Sequence, residues 1–255
     1  MIHATAIIDK SANLGRNVSV GAYSIIGPEV TIGDNTVVGP HAVIKGPTVI
    51  GENNQIFQFT SIGEDCQDKK YRGEPTRLEI GDNNVIREHV TIHRGTVQDN
   101  SLTRIGNNNL FMVAVHVAHD CIIGSDNIFA NTCGIAGHVH IGDGVLLGGM
   151  TGVHQFCKIG SYAMTAGCSL VLKDVPAYVM VGGNPATARS MNFEGMRRRG
   201  WSKEVIQQLR NAYKVVYRRG NTLNEAIDLL EQEQQSPELS VFIESLRRSE
   251  RGITR

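Results

Sequence analysis

Aliphatic residues return every six positions through most of this chain: Ile2, Ile8, Leu14, Val20, Ile26, Ile32, Val38, Ile44, Ile50, Ile56 and Ile62, then Ile80, Ile86 and Ile92. Four residues after each stands a small or β-branched side chain, as at Ala6, Ala12, Val18, Ser24, Val30, Thr36, Ala42 and Thr48, with Asn54 the polar exception. The phase slips by one between Ile92 and Ile105, then continues through Phe111, Val117, Ile123, Phe129, Ile135, Ile141, Leu147, Val153, Ile159, Thr165 and Val171. A period of six fits neither a 3.6-residue helix nor a hairpin meander. It predicts a parallel β-helix in which each hexad is a short strand plus a turn and three hexads close one triangular coil. The aliphatic and the residue four on point inward, while Gly and Asn are expected at corners that need positive φ. The 26 matching hexads give about nine coils, a prism roughly 40 Å tall at ~4.8 Å per strand.

The prism is expected to span residues 1–190, with excursions at 63–79 and 94–104 where the rhythm fails. Loops on a rigid scaffold tend to carry function. Beyond Pro176 the repeat decays through the turn cluster Gly182-Gly183-Asn184-Pro185. Residues 191–255 read as a C-terminal helical domain. Ser202 caps a segment whose apolar face is Val205, Ile206, Leu209, Ala212, Tyr213, Val216 and Tyr217; Gly220 stops it. Thr222 and Glu225 form a capping box, and Ser236-Pro237 opens a last helix bearing Leu239, Phe242, Ile243 and Leu246.

Lys+Arg and Asp+Glu both number 25, a balance that argues against bulk nucleic-acid binding. Positive charge collects in the tail, where residues 190–255 hold 12 basic against 9 acidic side chains. Its densest cluster, Arg197-Arg198-Arg199, suits a phosphate or an acidic partner as well as a solvated face. The cysteines (Cys66, Cys121, Cys133, Cys157, Cys168) are odd in number and lack a C-x-x-C pair, which disfavours a disulfide framework or a zinc-thiolate site. No signal peptide or membrane-length apolar run is seen, so a cytosolic protein without membrane insertion is expected.

Six histidines, His93, His116, His119, His138, His140 and His154, gather in the middle and upper coils. One coil is eighteen residues, so Asp120 should stack with His138 and His119 with Gly137. An imidazole beside an unobstructed Gly N–H suits acyl transfer: the neutral ring takes a proton from an attacking hydroxyl, and the N–H steadies the oxyanion. Asp120 would orient His119. Cys121 falls in an inward slot and should be buried and inert. The rival readings are zinc held by His116, His119 and His138, in the manner of trimeric β-helix carbonic anhydrases, and histidines satisfied structurally on the walls.

The segments Ile92-His93-Arg94-Gly95-Thr96, His116-Val117-Ala118-His119-Asp120-Cys121, Gly149-Met150-Thr151 with Val153-His154-Gln155-Phe156-Cys157, and Asn192-Phe193-Glu194-Gly195 with Arg198-Arg199-Gly200 resemble, in that order, the UDP-N-acetylglucosamine O-acyltransferases of lipid A biosynthesis. The resemblance runs from end to end. It implies a cytoplasmic homotrimer of left-handed β-helices that moves an (R)-3-hydroxyacyl chain from acyl carrier protein to the 3-hydroxyl of UDP-N-acetylglucosamine. No cofactor and no metal are implied, the acyl chain arriving on the carrier's phosphopantetheine arm. On this resemblance His119 is the general base, Asp120 its partner and Gly137 the oxyanion donor. Asp68 and Lys70 hold the glucosamine and the acyl hydroxyl, and His93, His116, His138 and His154 line the pocket. Gln155, Asn192, Glu194, Arg198 and Arg199 contact the nucleotide side, and Gly167 sits where acyl length is set. Ala114-Val115 and Pro185 depart from the family pattern. The nearest alternatives are the sister N-acyltransferase, which carries an extra N-terminal uridine-binding domain, a small-acyl transferase using acetyl-CoA, and a β-helix with a purely structural or binding role.

Overall fold

The computed structural model describes residues 1–234 and 236–255. Three parallel sheets form the walls of a β-helix, with nine, eight and ten strands among the described residues. The first wall runs from Ile7–Ile8 through His116–Val117 to Leu170–Val171, the second from Asn13–Leu14 through Ile122–Ile123 to Lys158–Ile159. The third runs from Ser19–Val20 through Ile128–Phe129 to Met164–Thr165 and ends in an antiparallel hairpin, Val179–Gly183 with Ala186–Met191, whose turn is the Gly-Asn-Pro cluster. The sequence rhythm shows no sign of that hairpin, because six-residue periodicity stops before it.

Most strands are two residues long, one facing in and one out. The inward aliphatics stack on their counterparts one coil away, Ile8 on Ile26 and Val117 on Ile135, and beyond the partly exposed first coil they are almost completely buried. Each such side chain contributes on the order of 1.5–3 kcal/mol. The polar exception at Asn54 begins a buried ladder. Asn84 Nδ2 donates to Asn54 Oδ1 at 3.1 Å and Asn109 Nδ2 to Asn84 Oδ1 at 3.0 Å, while each amide also donates to a glycine carbonyl. Polar side chains are tolerated here because Asn54, Asn84 and Asn109 satisfy one another; at the next rung Asn127 accepts from Val145 N–H, but its buried Nδ2 has no partner among the described residues.

The expectation about glycine needs correcting. The positive-φ corners are held by Asn17, Asn35, Asn53, Asn83 and Asn108, and also by Tyr23, His41, Asp120 and His138, whereas Gly15, Gly21, Gly33 and Gly51 do not have positive φ. Those glycines answer to close packing between coils: a Cβ on Gly33 would lie 2.6 Å from the Gly51 carbonyl carbon, and one on Gly21 would lie 2.5 Å from Pro40 N.

Both excursions leave the corner between the first and second walls. They are shorter than the broken rhythm suggests, because strands Ser61–Glu64, Arg77–Ile80 and Leu102–Ile105 reach into them, leaving 65–76 and 94–101 outside the walls. Ile62 pairs with Ile92, thirty residues on, and Ile92 with Val117, twenty-five on, in place of eighteen. Each excursion therefore lengthens a single corner, and the stacking above and below continues in register.

Four helices follow among the described residues: α1 (Phe193–Arg198), α2 (Lys203–Tyr217), α3 (Leu223–Glu231) and α4 (Pro237–Arg247). Ser202 and Ser236 cap α2 and α4, and Thr222 with Glu225 completes the capping box of α3. Asp174, at the top of the prism, ties this region down. Its Oδ2 accepts from Ser249 Oγ, Glu250 N and Arg251 N, and its backbone pairs with Gly252 and Thr254. No helix among the described residues is long and apolar enough to cross a membrane.

Candidate active site

His119 and Asp120 form the corner that follows the strand His116–Val117, and Gly137 and His138 form the same corner one coil on. The positive φ of Asp120, 58°, turns its carboxylate back toward its neighbour. The carboxylate is 1% exposed and accepts three hydrogen bonds: His119 Nδ1–H at 2.8 Å, Thr96 N–H at 2.8 Å and Thr96 Oγ1–H at 2.6 Å. Burial alone would push the Asp120 carboxyl up; the bonds from His119 and Thr96 outweigh it and hold the group below the usual carboxylate range. A carboxylate can only accept, so Nδ1 of His119 carries the proton and Nε2 is the basic nitrogen.

The His119 ring lies flat against Gly137. A Cβ there would come within 2.6 Å of His119 Cε1 and 2.7 Å of Nε2. The Gly137 N–H has no hydrogen-bond partner among the described residues. The stacking read from the eighteen-residue interval thus brings a basic nitrogen and a free backbone donor together. Stacking of Asp120 with His138 is looser: His138 Nδ1 is 3.9 Å from Asp120 Oδ2, and its close partner is Asp99 Oδ2 at 2.9 Å. His119, Asp120 and His138 offer ligand atoms within 4.8 Å of one another, a set that could take a metal ion. The same nitrogens and oxygens are already joined by hydrogen bonds, so a proton-transfer dyad accounts for them without an ion. His116, in the zinc reading a third ligand, turns its Nδ1 to Thr91 Oγ1 at 2.7 Å.

A cavity of about 440 Å³ opens over this corner, lined by Asp68, Lys70, Gln98, Asp99, His119, His138, Gln155 and Phe156. Asp68 and Lys70 reach it on the first excursion, where Asp68 Oδ1 also accepts from Lys70 N–H at 2.9 Å. Arg94, almost fully buried, fastens that excursion: its guanidinium donates to Gly63 O, the Asp65 carboxylate and Tyr71 Oη. His93 and His116 pack edge to face on the first wall, 5.0 Å between centroids. Burial and then repulsion from His116 push His93 down to about 4, and burial followed by His119 lowers His116. Both are therefore neutral at physiological pH. His154 directs Nδ1 to Gln155 O at 3.1 Å. Cys121 is buried and its thiol is pushed up to about 12 by burial, as an inert core cysteine should be.

Of the four histidines expected to line the pocket only His138 does so; His93, His116 and His154 are not among the residues lining this cavity, and neither are the remaining expected ones. Asn192, Glu194, Arg198 and Arg199 line a separate one of about 780 Å³, with Asp126 and Gly144 at the corner between the second and third walls and Ile128, Leu146 and Met164 on the third wall. Arg197 and Arg198 pair with Glu194 at 2.6 and 3.3 Å, and Arg199 lies over the Tyr162 ring at 4.6 Å. Gly167 occupies the corner between the third and first walls, across the first wall from His119. Thr96, Asp99 and Phe156 were not singled out from the sequence, although the position of the second excursion, beside the histidine-rich coils, was a usable signal for the first two.

Comparison with known proteins bears on the family. Residues 174–254 match the model for domain 2 of Udp N-acetylglucosamine O-acyltransferase, and residues 11–46 match the bacterial transferase hexapeptide of six repeats. The acyl-[acyl-carrier-protein]–UDP-N-acetylglucosamine O-acyltransferase of Pseudomonas paraeruginosa is 58% identical over 256 residues, covering 100% of this chain and 99% of that protein. Among solved structures, LpxA from Acinetobacter baumannii is 60% identical with a TM-score of 0.98, covering 100% of this chain and 99% of the other. The UDP-N-acetylglucosamine O-acyltransferase of Moraxella catarrhalis is 54% identical with a TM-score of 0.96 over the same shares. With the hexapeptide prism, the helical tail and full-length identity well above half, the chain belongs to the family of acyl-[acyl-carrier-protein]–UDP-N-acetylglucosamine O-acyltransferases.

Proposed function

We propose that this protein is a cytoplasmic homotrimer that transfers an (R)-3-hydroxyacyl chain from acyl carrier protein to the 3-hydroxyl of UDP-N-acetylglucosamine in lipid A biosynthesis, with His119 as general base. The observation that carries the reading is the Nε2 of His119, left for substrate by the Nδ1 bond to Asp120, beside an N–H of Gly137 that has no partner among the described residues. Nε2 takes the proton of the sugar 3-hydroxyl as its oxygen attacks the thioester carbonyl. The C–O bond forms, and the negative charge on the former carbonyl oxygen is met by the Gly137 N–H. When the intermediate collapses, the C–S bond breaks and the imidazolium returns its proton to the departing thiolate. Asp120 steadies that imidazolium and fixes the tautomer. Asp68, Lys70 and the neutral His93 and His116 are suited to hydroxyl groups on sugar and acyl chain.

The outer faces of the walls support the trimer. The first wall exposes Ile7 (64%) and Ile25 (40%), the third exposes Val37 (47%) and Ile128 (37%). The second wall is the more polar one: among apolar Val49 and Ile122 it turns outward Asn13, Thr31, His140 and the charged Glu79, bonded to Arg77 and Arg104, with Lys158 above them. Exposed apolar surface on two walls marks an interface. A ring in which the first wall of one subunit meets the third wall of the next closes with three-fold symmetry and leaves the more polar wall to solvent. It also sets the His119 corner of one subunit beside the neighbour's Arg198 cavity, which brings the two separated halves of the expected site together. Arg198 and Arg199 then face the nucleotide diphosphate.

The test is incubation with UDP-N-acetylglucosamine and a panel of hydroxyacyl carrier proteins, with products read by mass. His119→Ala should remain trimeric by light scattering and lose at least 10²-fold in kcat, the lower end for a general base. Near-normal turnover by the folded variant would remove His119 from the mechanism.

A further inference from the structure

The His119 cavity holds two imidazole–carboxylate pairs. His119 Nδ1 is 2.8 Å from Asp120 Oδ2, and His138 Nδ1 is 2.9 Å from Asp99 Oδ2. Since carboxylate oxygens only accept, both rings carry hydrogen on Nδ1 and keep Nε2 for substrate. The rings meet edge to face, 5.0 Å between centroids at 89°, and Phe156 stacks on His138 at 4.4 Å, which fixes the plane of that ring.

The informative distance is the near miss between the pairs. His138 Nδ1 is 3.9 Å from Asp120 Oδ2. That oxygen already accepts from His119 and from Thr96 Oγ1, so a modest rotation of His138 would make it a third claimant and weaken the bond that orients His119. What draws His138 the other way is Asp99. It sits in the turn of the second excursion, where its N–H bonds Thr96 O at 3.3 Å and its Oδ1 accepts from Asn100 Nδ2 at 2.7 Å. The excursion that locks Asp120 through Thr96 therefore also supplies His138 with a carboxylate of its own. In both cases an outer partner sets the tautomer and aim of a ring that works elsewhere.

Building on the acyl-transfer reading above, we propose that Asp99 is a positioning residue: it holds His138 away from Asp120, so that Asp120 serves His119 alone and both imidazoles present Nε2 to the substrates.

The experiment compares full-length wild type, Asp99→Ala and Asp99→Asn, each labelled with ¹⁵N-histidine. Ring-nitrogen signals are recorded without substrate and assigned with His138→Gln and His119→Gln; kcat and KM are then measured. In Asp99→Ala the His138 Nδ1–H signal should move, the His119 signal should move with it, and kcat should fall roughly ten-fold, with a smaller change in KM for UDP-N-acetylglucosamine. Asp99→Asn keeps a carbonyl oxygen that can accept the same hydrogen, and should restore both signals and most of kcat. The proposal is overturned if the His119 and His138 signals of Asp99→Ala match wild type, or if Asp99→Asn is as impaired as Asp99→Ala. The signals are read in the resting protein, so failure of wild type to acylate UDP-N-acetylglucosamine would refute the assigned reaction and leave the test of Asp99 intact.

Discussion

Replacing Gly137 with Ala tests whether the site depends on the placement of His119 to within an ångström. The corner slot that Gly137 occupies carries Pro28, His119 and Gln155 in other coils, so the slot itself accepts a Cβ, and Gly137 does not have positive φ. What forbids a side chain there is the imidazole one coil below. The new Cβ would stand 2.6 Å from Cε1, 2.7 Å from Nε2 and 3.1 Å from Nδ1 of His119. Ordinary carbon contact begins near 3.5 Å, so the ring must retreat by about 0.9 Å. It can do so only by straining the 2.8 Å bond to Asp120, and Nε2 leaves its place beside the N–H of residue 137. A misplacement of about 1 Å costs about 10²-fold in rate, or about 2.7 kcal/mol of transition-state stabilisation.

The assay is steady-state acyl transfer with thermal unfolding measured alongside. Gly137→Ala should lower kcat about 10²-fold while remaining folded and trimeric, with KM for UDP-N-acetylglucosamine nearly unchanged. A second measurement isolates the cause. In the His119→Ala background the clash has no partner, so Gly137→Ala should then cost no stability, and the two substitutions should be non-additive. Wild-type turnover by Gly137→Ala, or full additivity in stability, would refute the argument that glycine is there for the imidazole.

The pH dependence of stability carries a second prediction. Folded His93 stays neutral down to about pH 4, whereas an unfolded histidine takes up a proton near 6.5. Unfolding therefore binds a proton between those values, so stability should fall as pH falls from about 6.5 to about 4 and be unaffected by His93 above that window. Allowing for solvent screening, the loss is about 1–2 kcal/mol, and His93→Gln should lose correspondingly less in denaturant titrations; parallel curves would contradict it. A third prediction concerns the shared site. Arg198→Ala/Arg199→Ala chains and His119→Ala chains should each be nearly inactive, yet an equal mixture refolded together should recover about a quarter of wild-type activity, because each mixed ring contains one intact site. No recovery in demonstrably mixed trimers would place the arginines and the base in the same subunit or remove the arginines from the site.

The prism was legible because its physics is local and repeated. An inward Ile and a small residue four positions on recur whenever a strand must pack against identical neighbours, so the period announces the coil. The hairpin at 179–191 was legible only at its turn, 182–185: its first strand continues the third wall in parallel, but its second pairs antiparallel, outside the sixfold rhythm. Apart from Gly63, which does have positive φ, the repeat glycines were noticed for the right positions and the wrong reason: corner geometry falls mostly to Asn, Asp and even aromatic residues, while glycine marks where one coil's backbone presses on the next. Capping in the helical region was readable from Ser202, Thr222 and Ser236, because a cap is decided within four residues.

The site divides along the same line. His119 over Gly137 follows from counting eighteen, a distance the repeat enforces, and so does the burial of Cys121. Thr96 and Asp99 lie where the count breaks: the 94–101 excursion enters the corner with its own geometry, and no periodicity says which of its side chains reaches Asp120 and which reaches His138. The repeat delivers the imidazoles to one corner but gives them no carboxylate environment of their own beyond Asp120. The excursion adds what a regular coil cannot, two donors that saturate Asp120 and a second acceptor for His138. The lost register between Ile92 and Ile105 is thus a functional signal. A prism with perfect rhythm through this stretch would keep its fold and its histidines and leave the base without a fixed partner.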